Sequence, residues 1–392
     1  MIQNISRIYR WLVAPALACA MLLFAAVPAA YADGGAPNLA YVAGTAKSIS
    51  IIDVGQQKET GRIAIPGDPH MIQLSNDGRF LYVTQPQLNK VAIIAAKTGE
   101  TICSADVPGH PTLLSNIVTN TNTIFAAGSG ANSVTALDTS DCTIKRTFQT
   151  SGPVHGIFVA VIGSALTNTI GNQLWVAAGN AVEVFDDSNG QKLASITIAG
   201  TPEYIIIPPG ATAYVTTQQG SIFAIGLNKH ETLQLVSGGK YSLMDYDAIT
   251  GEIYVPDQQN KQIIVLTPVN PGYEPPREPN RVIKVDAVPV SIAITSDGQL
   301  GFAALQGGGV AMLDIPGRQT INTFNVGGSP HFIITGLYPP AIGTTPQQAS
   351  TFGTIANIAA YVLVAAILIV PVLLLVRSSK RRPRPASIEK PE

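Results

Sequence analysis

Charge is scarce in this chain. Only 12% of its 392 residues are Asp, Glu, Lys or Arg, and the formal net charge is −1. No basic field is present to hold nucleic acid. Cysteine is nearly absent, with three residues and no C-x-x-C-H, which excludes haem attached in the c-type manner. Nucleophile and phosphate motifs are missing too: G-x-S-x-G, the P-loop and H-E-x-x-H do not occur. The run Gly307-Gly308-Gly309 joins two apolar segments and precedes no helical pattern, so it reads as a tight turn rather than a phosphate cradle.

What the chain does have are two long apolar runs, one at each end. Arg7 and Arg10 precede an apolar stretch from Trp11 to Val27, and Ala30-Tyr31-Ala32 offers a small-x-small site. This reads as a signal peptide over 1–32, cleaved before Asp33 rather than retained as an anchor. At the far end, 22 residues from Ile355 to Val376 carry no charge. At 1.5 Å per residue they reach ~33 Å, enough for a hydrocarbon core of ~30 Å. Pro371 within the run is tolerated better by a membrane helix than by a soluble one. Arg377, Lys380, Arg381, Arg382 and Arg384 follow, and such a cluster stays cytoplasmic. The expected topology is a globular region over 33–338 outside the cell, a linker over 339–354, a transmembrane helix over 355–376 and a basic cytoplasmic tail over 377–392. Cys19 would leave with the signal peptide, placing Cys103 and Cys142 alone in an oxidising compartment.

The globular region is repetitive. A Pro, an apolar strand, a turn, an aromatic-Val strand, a polar turn, a strand often ending in Asp and a Thr-Ile strand recur in order. The clearest copies begin at Pro69 and Pro289; Pro111, Pro153, Pro202, Lys240 and Pro330 anchor weaker ones. The steps from 69 to 330 are 42, 42, 49, 38, 49 and 41 residues, near the ~40–45 of a four-stranded propeller blade. Second strands are legible seven times, at 39–44, 81–85, 124–128, 174–179, 213–217, 253–257 and 301–305. The mature chain begins on a second strand at Leu39 and ends on an orphan first strand from Pro330 to Thr335. Joining them completes blade one and leaves no open sheet edge at the seam. The expected fold is all-β: a seven-bladed propeller of four-stranded antiparallel blades, closed by a C-terminal strand.

Tyr82-Val83-Thr84-Gln85 nearly spells YVTN, and the segment from Ser75 to Val83 follows S-x-D-G-x-x-L-Y-V. On these residues the chain resembles the YVTN-family β-propeller repeat proteins, over roughly 36–338 and most strongly in blades two and seven. Blades three, four and six depart from the pattern. Similar repeats occur in surface-layer proteins, and related propellers occur in quinoprotein dehydrogenase subunits and lactonases. The resemblance implies a fold and a surface location, not a reaction.

Candidate sites lie in the connections. Asp53, Asp138, Asp186 and Asp314 close third strands, where Asp caps the following turn through its neighbours' backbone; this is a structural rather than a catalytic reading. Fourth-to-first and second-to-third connections share one face, rich in neutral amides. Gln85, Gln218, Gln258 and Gln306 on that face suit a glycan or peptide ligand. On the same face His70, His331 and Glu203 each follow a Pro at the start of a first strand, and His155 lies one place further on. Two imidazoles and a carboxylate are the donors that zinc, copper or iron takes, while hydrogen bonding at a wet channel mouth explains the same residues. Cys103 and Cys142 fall on or near outermost strands of adjacent blades, where sheets splay apart, and register alone does not bring them together. The insertion from Pro268 to Asn280 in blade six, with five prolines, is expected to be a stiff extended loop.

Three functions remain open. The first is a membrane-anchored surface module that binds a protein, glycan or envelope component without catalysis. The second is an enzyme or electron-transfer module with a metal or quinone at the channel mouth. The third is a structural component of a surface layer.

Overall fold

The computed structural model describes residues 39–116, 121–164, 169–273 and 281–336. The signal peptide, linker, apolar C-terminal run and basic tail read from the sequence lie outside the described residues. So does 274–280 of the proline-rich insertion. Among the described residues no helix is long and apolar enough to cross a membrane.

Among the described residues, twenty-eight strands form seven four-stranded sheets, each antiparallel, and together they make a seven-bladed propeller. The second strands run through Leu39–Ala43, Phe80–Gln85, Thr123–Ala127, Thr169–Ala178, Thr212–Thr217, Ile253–Asp257 and Leu300–Leu305. Blade one is composite. Its inner strand is Phe332–Gly336, pairing with Leu39–Ala43 in the register Leu39↔Gly336 through Ala43↔Phe332. The last strand of the propeller therefore locks onto the first.

Second strands such as LAYVA and third strands such as KVAIIA are buried almost throughout, without alternation. Both faces of each blade are covered by a neighbour, so both sets of side chains must be apolar. The burial divides into seven clusters, one for each contact between neighbouring blades. Between blades three and four, Phe125, Phe148 and Phe185 meet edge to face at centroid separations of 5.7 Å. Fourth strands face solvent and alternate, as in Lys58–Ala64.

Third-strand aspartates act as the sequence suggests. Asp138 Oδ1 accepts from the Ser140 N–H at 2.8 Å, Asp186 Oδ1 from Ser188 at 2.9 Å and Asp314 Oδ1 from Gly317 at 2.9 Å. The Lys145 ammonium and the Ser140 hydroxyl together hold Asp138 down to about 2. In the glycine run, Gly307 and Gly308 take φ of 91° and 88° in the three-residue turn between the paired Leu305 and Gly309, a backbone that glycine adopts without strain.

Blade six departs most from the sequence expectation. The segment GGKYSLM, from which a first strand was expected, makes only isolated bridges at Tyr241 and Leu243; the regular first strand is Asp245–Tyr246. Its fourth strand, Val282–Lys284, has three residues against six or seven elsewhere. No anchoring proline stands at Lys240, and the proline-rich insertion directly precedes the shortened outer strand in sequence.

Cys103 and Cys142 are bonded, with Cα atoms 5.9 Å apart. Cys103 lies on the outer strand Thr101–Asp106 of blade two, but Cys142 is not on the outer strand of blade three. It occupies the turn before it, with φ of 63°, and is 7% exposed in the cluster between the two blades. A left-handed turn thus delivers across the splay what a strand residue would not. Replacing both cysteines by Ser should lower stability by about 2–4 kcal/mol, because a 39-residue loop is released in the unfolded chain. Denaturant midpoints of the variant and of the non-reduced parent measure this; identical midpoints would contradict it.

Candidate functional site

Three features face the ring's axis or its clefts. The first is the mouth formed by fourth-to-first and second-to-third connections. Here the Pro-His elements of blades one and two meet: the His70 and His331 rings stack at 4.7 Å with an interplanar angle of 15°. His70 Nδ1 lies 3.1 Å from the Thr112 carbonyl and, as its donor, leaves Nε2 deprotonated. His331 Nε2 lies 3.3 Å from Asp68 Oδ2. Gly44 admits the His331 ring, since a Cβ there would stand 2.6 Å from its Cδ2. Among the described residues no three His, Cys, Asp or Glu side chains gather as a ligand set. Glu203 and His155 do not join the pair in such a set; burial raises Glu203 and Lys240 lowers it, and burial lowers His155.

The amide-rich turns serve the ring itself. Gln85 is buried and its Nε2 donates to the Pro66 carbonyl at 2.8 Å, so it is committed to the adjoining connection rather than to a ligand. Gln218, Gln258 and Gln306 keep their side chains at least partly in solvent, while their backbone N–H groups pin the connections at Thr201, Lys240 and Val288. The second-to-third turns clamp the incoming chain of their own blades.

The second feature is the central channel, a cavity of about 260 Å³ walled by first strands of all seven blades. Inner strands have no sheet partner on the axis, and polar side chains bridge several of them instead. Asn116 Nδ2 and Oδ1 bond the Val159 carbonyl and N–H at 3.0 and 2.8 Å. Thr335 Oγ1 donates to the Ile294 carbonyl at 3.3 Å, and Asp245 Oδ2 accepts from the Ile294 N–H at 2.6 Å. Asp245 has no cation beside it among the ion pairs of the described residues, and the surface it keeps faces the cavity. Burial first, then Asp247, lifts it to about 7.

The third and largest is a groove of about 540 Å³ between blades five and six. It opens where the fourth strand of blade six is short. Leu235, Val236, Ile264, Leu266 and Val269 are half-buried along it, and Gln234, Asn260, Gln262 and Thr267 border them. Tyr241 closes the floor. The sequence signals were weak steps of 38 and 49 residues and the lost proline at Lys240; neither announces a groove.

Solved structures similar to this one share its fold. A functionally unknown protein from Desulfotomaculum acetoxidans aligns with TM-score 0.62 at 12% identity, covering 77% of this chain and all of that one. The β-propeller domain of Cps50 (Swd1) from Myceliophteria thermophila gives 0.57 at 13%, covering 67% and 88%. The dihydro-heme d1 dehydrogenase NirN, in complex with DHE, gives 0.54 at 13%, covering 76% and 74%. Such identities carry the fold alone. No family model matches the chain, and no curated protein is similar to it in sequence.

His70 at the mouth and Asp245 in the channel act on stability with opposite sign. Burial and the neighbouring His331 push His70 down to about 4. The unfolded chain gains that proton near pH 6.5, so His70's contribution is lost as pH falls from 6.5 to 4. Asp245 keeps its proton to about 7 when folded but ionises near 3.8 when unfolded, so its contribution is lost as pH rises across that range. The parent therefore partly conceals both. Thermal unfolding between pH 4 and 8 should show Asp245→Asn gaining stability with pH more steeply than the parent, and His70→Gln less steeply. Parallel curves for all three would refute these assignments.

Proposed function

We propose that the protein is a non-catalytic binding module displayed outside the cell, a surface propeller of the YVTN-repeat type. The groove between blades five and six carries the reading. Half-buried aliphatic side chains, bordered by neutral polar groups, by Asp257 hydrogen-bonded to Asn260 and Gln262 and by Arg281 paired with Glu252, form a surface for an extended partner. That partner is a peptide segment or glycan of the cell envelope. The propeller is tethered by the apolar run 355–376, with the five basic residues after it held on the cytoplasmic side. A groove with this lining offers shape and desolvation rather than a reacting group.

A photo-crosslinking residue placed at Leu266 in the full chain, irradiated on intact cells, should capture one discrete partner. The same residue at Ile321, exposed on the outer strand of blade seven, should not. A Leu235→Glu change should reduce capture at Leu266 at least tenfold. Capture that is equal at both positions, or indifferent to the charge at 235, would overturn the reading. Protease added to the same cells should leave a small membrane-bound C-terminal fragment.

A further inference from the structure

Apolar side chains left in water gather on one face. Among the described residues the most exposed large hydrophobics are Tyr273, Ile249 and Val161, at 74%, 71% and 65%; the others are at most 52% exposed. All three lie in first-to-second or third-to-fourth connections, on the face opposite the histidine mouth. Ile249, the Pro208-Pro209 turn of blade five and the start of the blade-six insertion, Pro268 to Asn270, line one cavity of about 450 Å³. Tyr273 follows closely, its N–H donating to the Asn270 carbonyl at 2.9 Å. Val161 continues the arc onto blade four. Ile162 beside it packs against the cluster that holds Ile207, the residue before Pro208.

A long hairpin carries Val161 outward. The first and second strands of blade four, Val154–Ser164 and Thr169–Ala178, outrun the third. Pairing to the third strand ends at Gln173↔Asp186, while four first-to-second pairs continue, from Val161↔Asn172 to Ser164↔Thr169. At ~3.4 Å per residue they extend the two strands by ~14 Å. No Asp, Glu, Lys or Arg occurs between Val154 and Val182. Exposed apolar surface grouped in this way marks a docking site. No basic patch accompanies it: Lys229 has Glu231 at 3.9 Å, Arg281 pairs with Glu252, and Asp186 and Asp187 add negative charge. The surface therefore suits an apolar medium rather than an acidic partner.

The place where the chain leaves the propeller points to that medium. The closing strand Phe332–Gly336 runs from the histidine mouth to this face, where Gly336 pairs with Leu39. Residues 337–354 then connect it to the apolar run 355–376. At ~3.5 Å per residue they span at most ~60 Å, so a tether rooted on this face reaches a bilayer without fixing the propeller's tilt. We propose that the connections of blades four to six dip into the lipid interface of the membrane that holds the tether, through Val161, Ile249 and Tyr273. Aliphatic side chains enter the apolar boundary there, and a tyrosine keeps its hydroxyl among the head groups. The arc begins at blade four, across the ring from the tether's root in blade one. Tether and contact together turn the histidine mouth away from the bilayer. This contact rests on the tether proposed above and is independent of the groove.

The full chain in phosphatidylcholine vesicles tests this, with an environment-sensitive dye on one added cysteine and the parent as blank; Cys103 and Cys142 are bonded to each other. Dyes at Val161→Cys, Ile249→Cys and Tyr273→Cys should be quenched by nitroxides on the lipid acyl chains about fivefold more than at Leu88→Cys, exposed on the opposite face. Neither high salt nor added anionic lipid should change this. Val161→Asp combined with Ile249→Asp should bring quenching at Tyr273→Cys down to the Leu88 level, with the thermal midpoint and retention in alkali-washed vesicles unchanged. Quenching at the three positions no greater than at Leu88 would overturn the contact and leave the surface to a protein partner. So would quenching that high salt removes, or that the two aspartates leave intact. Loss of every variant to the alkaline wash would contradict the tether instead, while quenching by added vesicles still reads the face.

Discussion

The five residue pairs between Phe332–Gly336 and Leu39–Ala43 hold this molecule together. Each blade buries apolar side chains on both faces, and a blade without a neighbour would expose a whole cluster. Opening the ring at blade one frees the inner edge of Leu39–Ala43 and loosens two clusters that meet there. One packs Val42 and Ile333 against Phe302 and Val310, the other Tyr41 and Ile49 against Ile72 and Leu81. Nothing in a propeller's topology compensates for this, because contacts run only between neighbours. The stacked histidines and the Asp68–His331 contact lie at the same seam.

Much of this was legible in the sequence because a propeller writes its architecture as a period. Seven second strands, the aspartates that cap third strands and the orphan strand near the C-terminus could each be read from residues, since each follows from a local rule that recurs. The bridge between Cys103 and Cys142 could not be read that way. It depends on a left-handed residue in a turn, and strand register says nothing about where such a turn points. Gln85 looked like its fellow amides, yet it alone is buried and bonded to Pro66; its neighbours in space, not its position in the repeat, decide that. Asp245 was invisible for the opposite reason. It falls where the first strand of blade six fails to match the others, so no template directed attention to it.

The features with chemistry therefore lie where the repeat is weakest. Blade six supplies both the shortened outer strand that opens the groove and the aspartate that charges the channel. Blade six lies away from the closing seam at blade one, so its irregular strands leave the closing register intact. Stability is concentrated at the seam and binding surface at the exception.

Closure itself is the claim to test first. A chain lacking Gly327 to Tyr338, otherwise complete, loses the inner strand of blade one and nothing else of the described sheets. Its thermal unfolding should show loss of the cooperative transition, or a midpoint lowered far beyond what twelve exposed residues would cause. A truncated protein that melts cooperatively at the parental temperature would mean that the ring does not depend on this strand.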